Sequence, residues 1–254
     1  MIGSSFLGMV GLAFVMGFSI YLSFPLILKK NVSAKSAMLL VSLAVGILIF
    51  LIGDIFSDVA SQIYPSGSYQ ANPILSVIFA AAVAGVFSLL YLIERPTSRP
   101  GSKDIFIPKN VALVVAIGMG LQNLTEGLVF GSAYVVGLSG LFLVILIGFI
   151  LQNLTEGFPI VSPFLGRERP KLAALAGLYF IGGSPTIIGG IIGYFYVNTY
   201  LEVLFDGLAI GAILFVIIPM LRTVSKQADQ AKGYSLVYTG LILGFLAGFA
   251  VNAL

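Results

Sequence analysis

The chain has 254 residues, of which 59% are apolar and only 9% charged, with a mean hydropathy of +1.09 and a formal charge of +3. A soluble domain carries about 25% charged residues, so this chain could not cover itself in water and lipid must be its solvent. It has no Cys, His or Trp, which excludes disulfides, thiolate or imidazole metal sites and histidine acid–base catalysis, and leaves the chemistry to oxygens, amides, lysines and arginines.

A spanning helix needs about 20 mainly apolar residues. That length predicts eight spans in chain order: 4–28, 36–58, 73–93, 110–134, 139–165, 171–197, 200–222 and 233–254. The first lacks a charged start and is too long for the apolar segment of a cleavable signal peptide. The whole of 1–254 therefore reads as a single all-α transmembrane domain. Spans one to three occupy residues 4–93, and a Pro-, Ser- and Gly-rich linker covers 94–109, within the stretch IERPTSRPGSKDIFIPKN. Spans four to eight fill residues 110–254.

All 13 Lys and Arg fall in alternate connections. Lys29, Lys30 and Lys35 follow span one; Arg95, Arg99, Lys103 and Lys109 follow span three. Arg167, Arg169 and Lys171 follow span five, and Arg222, Lys226 and Lys232 follow span seven. The stretches DVASQIYPSGSYQANP, VVGLSG and YVNTY between them contain none. The positive-inside rule then puts the basic connections, the linker among them, in the cytoplasm and both termini outside a cell membrane crossed many times.

One polar heptad interrupts the oil, and it does so twice: LQNLTEG at 121–127 and again at 151–157. Spans four and five run in opposite directions, so the two copies meet antiparallel near mid-membrane. Gln122 and Glu126 are four residues apart and Asn123 and Glu126 three apart, which puts them on one helix face. Burying both faces together gathers Gln122, Asn123, Glu126, Gln152, Asn153 and Glu156. An ionisable group at a helix centre costs about 2.5–3.5 kcal/mol on insertion scales and usually faces a cavity or a pathway. Two carboxylates side by side also repel, and a hard divalent cation that prefers oxygen relieves both problems. The plainer reading is interhelical hydrogen bonding, worth roughly 0.6 kcal/mol per bond, with neutral glutamates as glue.

With eight spans, both termini outside, a long cytoplasmic linker after the third, and N-x-x-E-G in spans four and five, the chain resembles the ZIP (zinc- and iron-transporter-like) metal transporters. Their fourth span typically carries H-N-x-P-E-G and their fifth a related H/Q-x-x-P-E-G; the C-terminal GLILGFLAGFAVNAL also looks like the family's last span. The resemblance implies a ZIP-like bundle with a 3+2+3 inverted-repeat arrangement, a homodimer, and an elevator-like movement of one part against another. It implies that Gln122, Glu126, Gln152 and Glu156 hold the primary metal, with Asn123 and Asn153 contributing to a second. The cargo would be Zn, Fe or Mn, with no permanently bound cofactor. This sequence departs from the pattern at several points. Gln122 replaces the histidine, Thr125 and Thr155 replace the heptad proline, Ser184 precedes Pro185 where a carboxylate is common, span seven (GAILFVIIPMLRT) lacks the glutamates often found there, and Leu48 stands about where span two has a methionine. These changes remove the nitrogen ligand that favours zinc and weaken the second metal position. Pro159 and Pro163 are left to kink span five.

Asp54 and Asp58 at the outer end of span two, and Glu202 and Asp206 at the outer start of span seven, repeat one i,i+4 spacing. They read either as ordinary interfacial solvation or as an acidic vestibule that concentrates cations, with Asp54 and Asp206 the deeper pair. Span six holds Gly177, Gly182, Gly183, Gly189, Gly190 and Gly193, a pattern of close helix packing; alternatively GGSP opens the helix and exposes Ser184 to the pathway. No Walker-type loop is present to couple nucleotide hydrolysis. The expectation is a transporter and not an enzyme, with divalent cations and the lipid bilayer as partners and no nucleic acid. Two other functions fit the same residues: a proton or small-polar-solute pathway through the glutamates, and a ZIP-like scaffold that has lost transport.

Overall fold

The apolar runs fold as helices throughout the described residues, which in this computed structural model are 6–27, 33–64, 69–94, 108–136, 142–165, 170–196, 198–231 and 233–252. Helix α1 (Phe6–Phe18) tightens at Ser19 into a 3-10 segment, Ser19–Ile27, that carries Pro25. Helix α2 (Ala34–Ile63) is opened by Ser33, whose hydroxyl accepts from the Ser36 amide at 3.1 Å, one of the donors every helix start leaves unpaired. Helices α3 (Pro73–Glu94) and α4 (Pro108–Val136) both begin on proline, whose missing N–H costs nothing at that position. Helix α5 (Phe142–Val161) runs through Pro159 and then tightens into a 3-10 turn, Ser162–Phe164, around Pro163. Helices α6 (Leu172–Gly183) and α7 (Pro185–Phe195) are one apolar stretch interrupted at Ser184, because Pro185 has no N–H to continue the ladder. Helices α8 (Thr199–Ala231) and α9 (Tyr234–Asn252) complete the order.

Among the described residues, six stretches are long and apolar enough to cross a membrane: Phe6–Pro25, α2, α3, α4, Leu172–Phe195 and α8; α9 contributes the shorter apolar run Tyr234–Ala250. Their number and apolarity suggest a multi-pass membrane protein. Two helices outrun the spans read from apolarity. Helix α2 continues to Ile63 beyond 58, and α8 continues to Ala231 beyond 222 through RTVSKQADQ. Lys, Gln and Ala are good helix formers, so the helix persists where the apolar signal stops. The linker's 95–107 and eight of the basic residues (Lys29, Lys30, Arg95, Arg99, Lys103, Arg167, Arg169, Lys232) lie outside the described residues.

The helices sort into two packed groups. Helix α2 runs along α9, α3 along α8, and α2 against α8. The other group packs α4 against α7 and α6, α5 against the 3-10 segment after α1, and α1 against α7. Contact between α4 and α8 joins the groups. The closest approaches are made by glycine: a Cβ on Gly46 would meet the Phe245 amide nitrogen of α9 at 2.8 Å, so α2 and α9 pack backbone to backbone there. The described Lys35, Lys109 and Lys171 open α2, α4 and α6, and Arg222 and Lys226 lie late in α8, all at one end of the bundle, hereafter the basic end. A pocket at that end is lined by Val41, Val111, Ser162, Thr223 and Gln227 among others.

Candidate metal centre

Both heptads lie inside helices, LQNLTEG of 121–127 in α4 and its copy of 151–157 in α5, and the folded chain brings them together. Glu156 and Asn153 are completely buried, Asn123 likewise, and Gln122 and Glu126 are 3% and 8% exposed. The bonding is reciprocal. Gln122 of α4 donates from Nε2 to Glu156 Oε1 of α5 at 2.8 Å, and Gln152 of α5 donates from Nε2 to Glu126 Oε1 of α4 at 2.7 Å. Gln122 Nε2 also reaches Glu126 Oε1 at 3.2 Å. Four of the six residues expected from the sequence, Gln122, Glu126, Gln152 and Glu156, therefore meet in direct hydrogen bonds.

The two asparagines extend outward from this pair. Asn123 Nδ2 donates to Glu156 Oε2 at 3.3 Å and to the Gly182 carbonyl at 3.1 Å, while its Oδ1 accepts from the Thr186 hydroxyl at 3.4 Å. It thereby straddles the α6–α7 interruption. Asn153 Nδ2 donates to the Met16 carbonyl at 3.1 Å, just before α1 tightens at Ser19. Thr186 and the carbonyls of Met16 and Gly182 are participants the sequence reading missed. A carbonyl leaves no mark in a sequence, and Thr186 stands in a run of glycine and isoleucine that resembles plain packing.

The donors and acceptors do not balance. Among the described residues, five buried polar atoms have no hydrogen-bond partner, and three of them are oxygens of this cluster: Gln122 Oε1, Glu126 Oε2 and Asn153 Oδ1. An unsatisfied buried acceptor costs on the order of 1–3 kcal/mol, so the cluster lacks electropositive partners. Among the described residues no three carboxylates stand close enough to hold a metal by themselves. Any cation held here must draw on amide or carbonyl oxygens beside the two glutamates.

Asp206 of α8 is 4% exposed and lies near Thr125 of the first heptad, whose hydroxyl donates to the Leu121 carbonyl at 3.3 Å. Asp54 is half-buried and Asp58 exposed on α2, and Glu202 is half-buried on α8. Asp54 and Asp206 lie close enough to act electrostatically on Glu126, as Asp58 and Glu202 do on Asp206. Carboxylates thus step from exposed Asp58 inward to the heptads. Ser184 is half-buried, and its amide continues the helix to the Phe180 carbonyl at 2.9 Å. The interruption reaches the cluster through its neighbours Gly182 and Thr186. Gly182, Gly183, Gly189, Gly190 and Gly193 are buried against other helices, as close packing requires, but Gly177 is exposed with nothing within 4 Å of a Cβ. It belongs to the outer face of α6 and packs on no other helix among the described residues.

The Asn123 cross-link makes a quantitative prediction. Asn123→Leu strands the Gly182 carbonyl and one Glu156 oxygen, and is expected to cost about 2–3 kcal/mol. Thermal denaturation in detergent checks it; an unchanged midpoint would contradict the cross-link.

No family model matches the chain, and no curated protein matches it.

Proposed function

We propose that the chain is a ZIP-like transporter that carries divalent transition-metal ions into the cell across the plasma membrane, without ATP, at the paired heptads. The observation that carries the reading is a pair of buried glutamates ringed by amides, with three acceptor oxygens left without donors. Two carboxylates in a dry interior need neutralising, and a divalent cation does that while filling the coordination of Gln122 Oε1, Glu126 Oε2 and Asn153 Oδ1.

The proposed topology has eight spans, with α5 and α9 added to the six, both termini outside and the basic end in the cytoplasm. The packing supports an inverted repeat. Exchange α1 with α6–α7, α2 with α8, α3 with α9 and α4 with α5, and the main pairings map onto one another: α2 with α9 becomes α8 with α3, and α4 with α7 becomes α5 with the α1 segment. A heptad repeated in α4 and α5 is what such an exchange demands. The two packed groups also suit an elevator-like motion, the heptads riding in one group while the other stays put. The stepped carboxylates Asp58, Asp54, Glu202 and Asp206 would gather cations at the outer end. A homodimer belongs to the same proposal.

Oxygen-only coordination is expected to accept Mn²⁺ or Fe²⁺ at least as well as Zn²⁺. The test is uptake into proteoliposomes with Mn²⁺, Fe²⁺, Zn²⁺ and Cd²⁺ in competition. Saturable uptake of any of them supports transport; Zn²⁺ outcompeting both Mn²⁺ and Fe²⁺ by orders of magnitude would overturn the selectivity. A proton pathway through the same glutamates predicts instead metal-independent proton flux. A scaffold that has lost transport predicts no flux of either kind.

A further inference from the structure

The reciprocity of the site goes deeper than the heptads, and it fails at one position. Asn123 and Asn153 occupy the same place in their heptads, 30 residues apart (153 − 123). Asn123 donates to Gly182 of α6 and Asn153 to Met16 of α1, both at 3.1 Å, which fixes an offset of 166 (182 − 16) between α1 and α6–α7. The same offset pairs Gly17 with Gly183, and these two face each other's carbonyl oxygens. It pairs Ile20 with Thr186, and here too the surroundings correspond. A Cβ on Gly17 meets Thr186 Cβ at 2.9 Å, and one on Gly183 meets Ile20 Cγ2 at 3.0 Å. The heptad glycines agree: Gly127 packs on the Thr186 carbonyl and Gly157 on that of Ile20. Three independent contacts therefore set one register.

Within that register one chemical group has no counterpart. Thr186 donates its hydroxyl to Asn123 Oδ1, while Ile20, completely buried at the matching place, has no hydroxyl to give. Asn153 Oδ1 is accordingly without a partner. The glutamates follow suit. Both oxygens of Glu156 accept amide hydrogens, from Gln122 and Asn123, whereas Glu126 Oε2 accepts none.

We infer that Thr186 and Ile20 are positioning residues that make the twin site asymmetric: Thr186 closes the end at Asn123, which is bonded to Glu156, and Ile20 leaves the end at Asn153, whose Oδ1 has no donor, open to take the first divalent cation. This rests on the metal-transport reading and assigns it a seat. A hydroxyl hydrogen and a cation compete for the same amide lone pairs. A threonine at position 20 would satisfy Asn153 Oδ1 and oppose binding; removing the hydroxyl at 186 would release Asn123 Oδ1 and favour it.

The test is equilibrium Mn²⁺ binding to the purified full chain in detergent, with uptake measured in parallel. Threonine and valine are nearly isosteric, so Ile20→Thr is compared with Ile20→Val, which isolates the hydroxyl. Ile20→Thr is expected to weaken Mn²⁺ binding about five- to tenfold relative to Ile20→Val, the effect of one added hydrogen bond on a competing ligand, and to raise KM for uptake more than it lowers the maximal rate. Thr186→Val is expected to tighten binding or add a second, weaker Mn²⁺. Equal Kd for Ile20→Thr and Ile20→Val, with Thr186→Val unaltered in affinity and stoichiometry, overturns the asymmetry even if transport stands. Should Ile20→Thr not fold, the Thr186→Val result decides alone. Wild type that binds none of Mn²⁺, Fe²⁺, Zn²⁺ or Cd²⁺ defeats the transport reading itself, a different result from equal affinities.

Discussion

With Glu126→Gln and Glu156→Gln combined, saturable Mn²⁺ uptake into proteoliposomes is expected to fall at least about 100-fold while the protein stays folded. The two changes keep shape and hydrogen-bonding reach and delete only charge, at residues 8% and 0% exposed. Two unit charges about 4 Å apart at an effective dielectric of 20 attract by about 4 kcal/mol. A divalent ion doubles that figure for each carboxylate, and 100-fold corresponds to only about 2.7 kcal/mol. Even a small fraction of the lost attraction is therefore enough. If the heptads were only interhelical glue, each lost bond would be worth roughly 0.6 kcal/mol, and uptake, whatever carries it, would be indifferent to the change. The denaturation midpoint separates the cases. A folded double variant with normal metal uptake removes the glutamates from the site; one that loses metal-independent proton flux instead shifts the function to a proton pathway.

The sequence carried the cluster further than it carried the cluster's wiring. A heptad repeated in two apolar runs marks Glu126 and Glu156 without any structure, because carboxylates and amides at helical spacing stand out against oil. That Gln122 serves Glu156 and Gln152 serves Glu126 depends on the register of α4 against α5, across 34 and 26 residues of chain. No local pattern encodes it. Backbone partners are still less visible: the Met16 and Gly182 carbonyls become available where α1 tightens at Ser19 and where Pro185 interrupts the α6–α7 ladder. The proline could be read, but its consequence for Asn123 could not. Apolarity located the helices well yet misjudged two ends, since it reports the solvent a helix needs and not where the helix stops. Gly177 shows the same limit for glycine. It shares its spacing with Gly183, and only the presence of α1 beside one of them tells the two apart.

That contrast gives the second large effect. Gly127→Ala is expected to destabilise the protein by about 1–3 kcal/mol and to abolish uptake, whereas Gly177→Ala is expected to be neutral or to stabilise by up to about 1 kcal/mol. In α6 the new methyl meets open space, and alanine is the better helix former. In α4 it lands on the Thr186 carbonyl, with the Gly190 amide nitrogen at 2.9 Å; both are backbone, so no side chain can swing aside and α7 itself must move. Helix α7 carries the Thr186 hydroxyl that holds Asn123, and Asn123 holds Glu156 at 3.3 Å. A displacement of α7 by under an ångström drags Asn123 and Glu156 with it through two hydrogen bonds, whereas loss of the Thr186 hydroxyl alone leaves the helices in register; this is why function should fail before folding does in Gly127→Ala. The two variants measured side by side, by denaturation midpoint in detergent and by Mn²⁺ uptake, distinguish this from a general intolerance of alanine. If Gly127→Ala were as stable and as active as Gly177→Ala, the close approach of α4 and α7 could not be what holds the site in register.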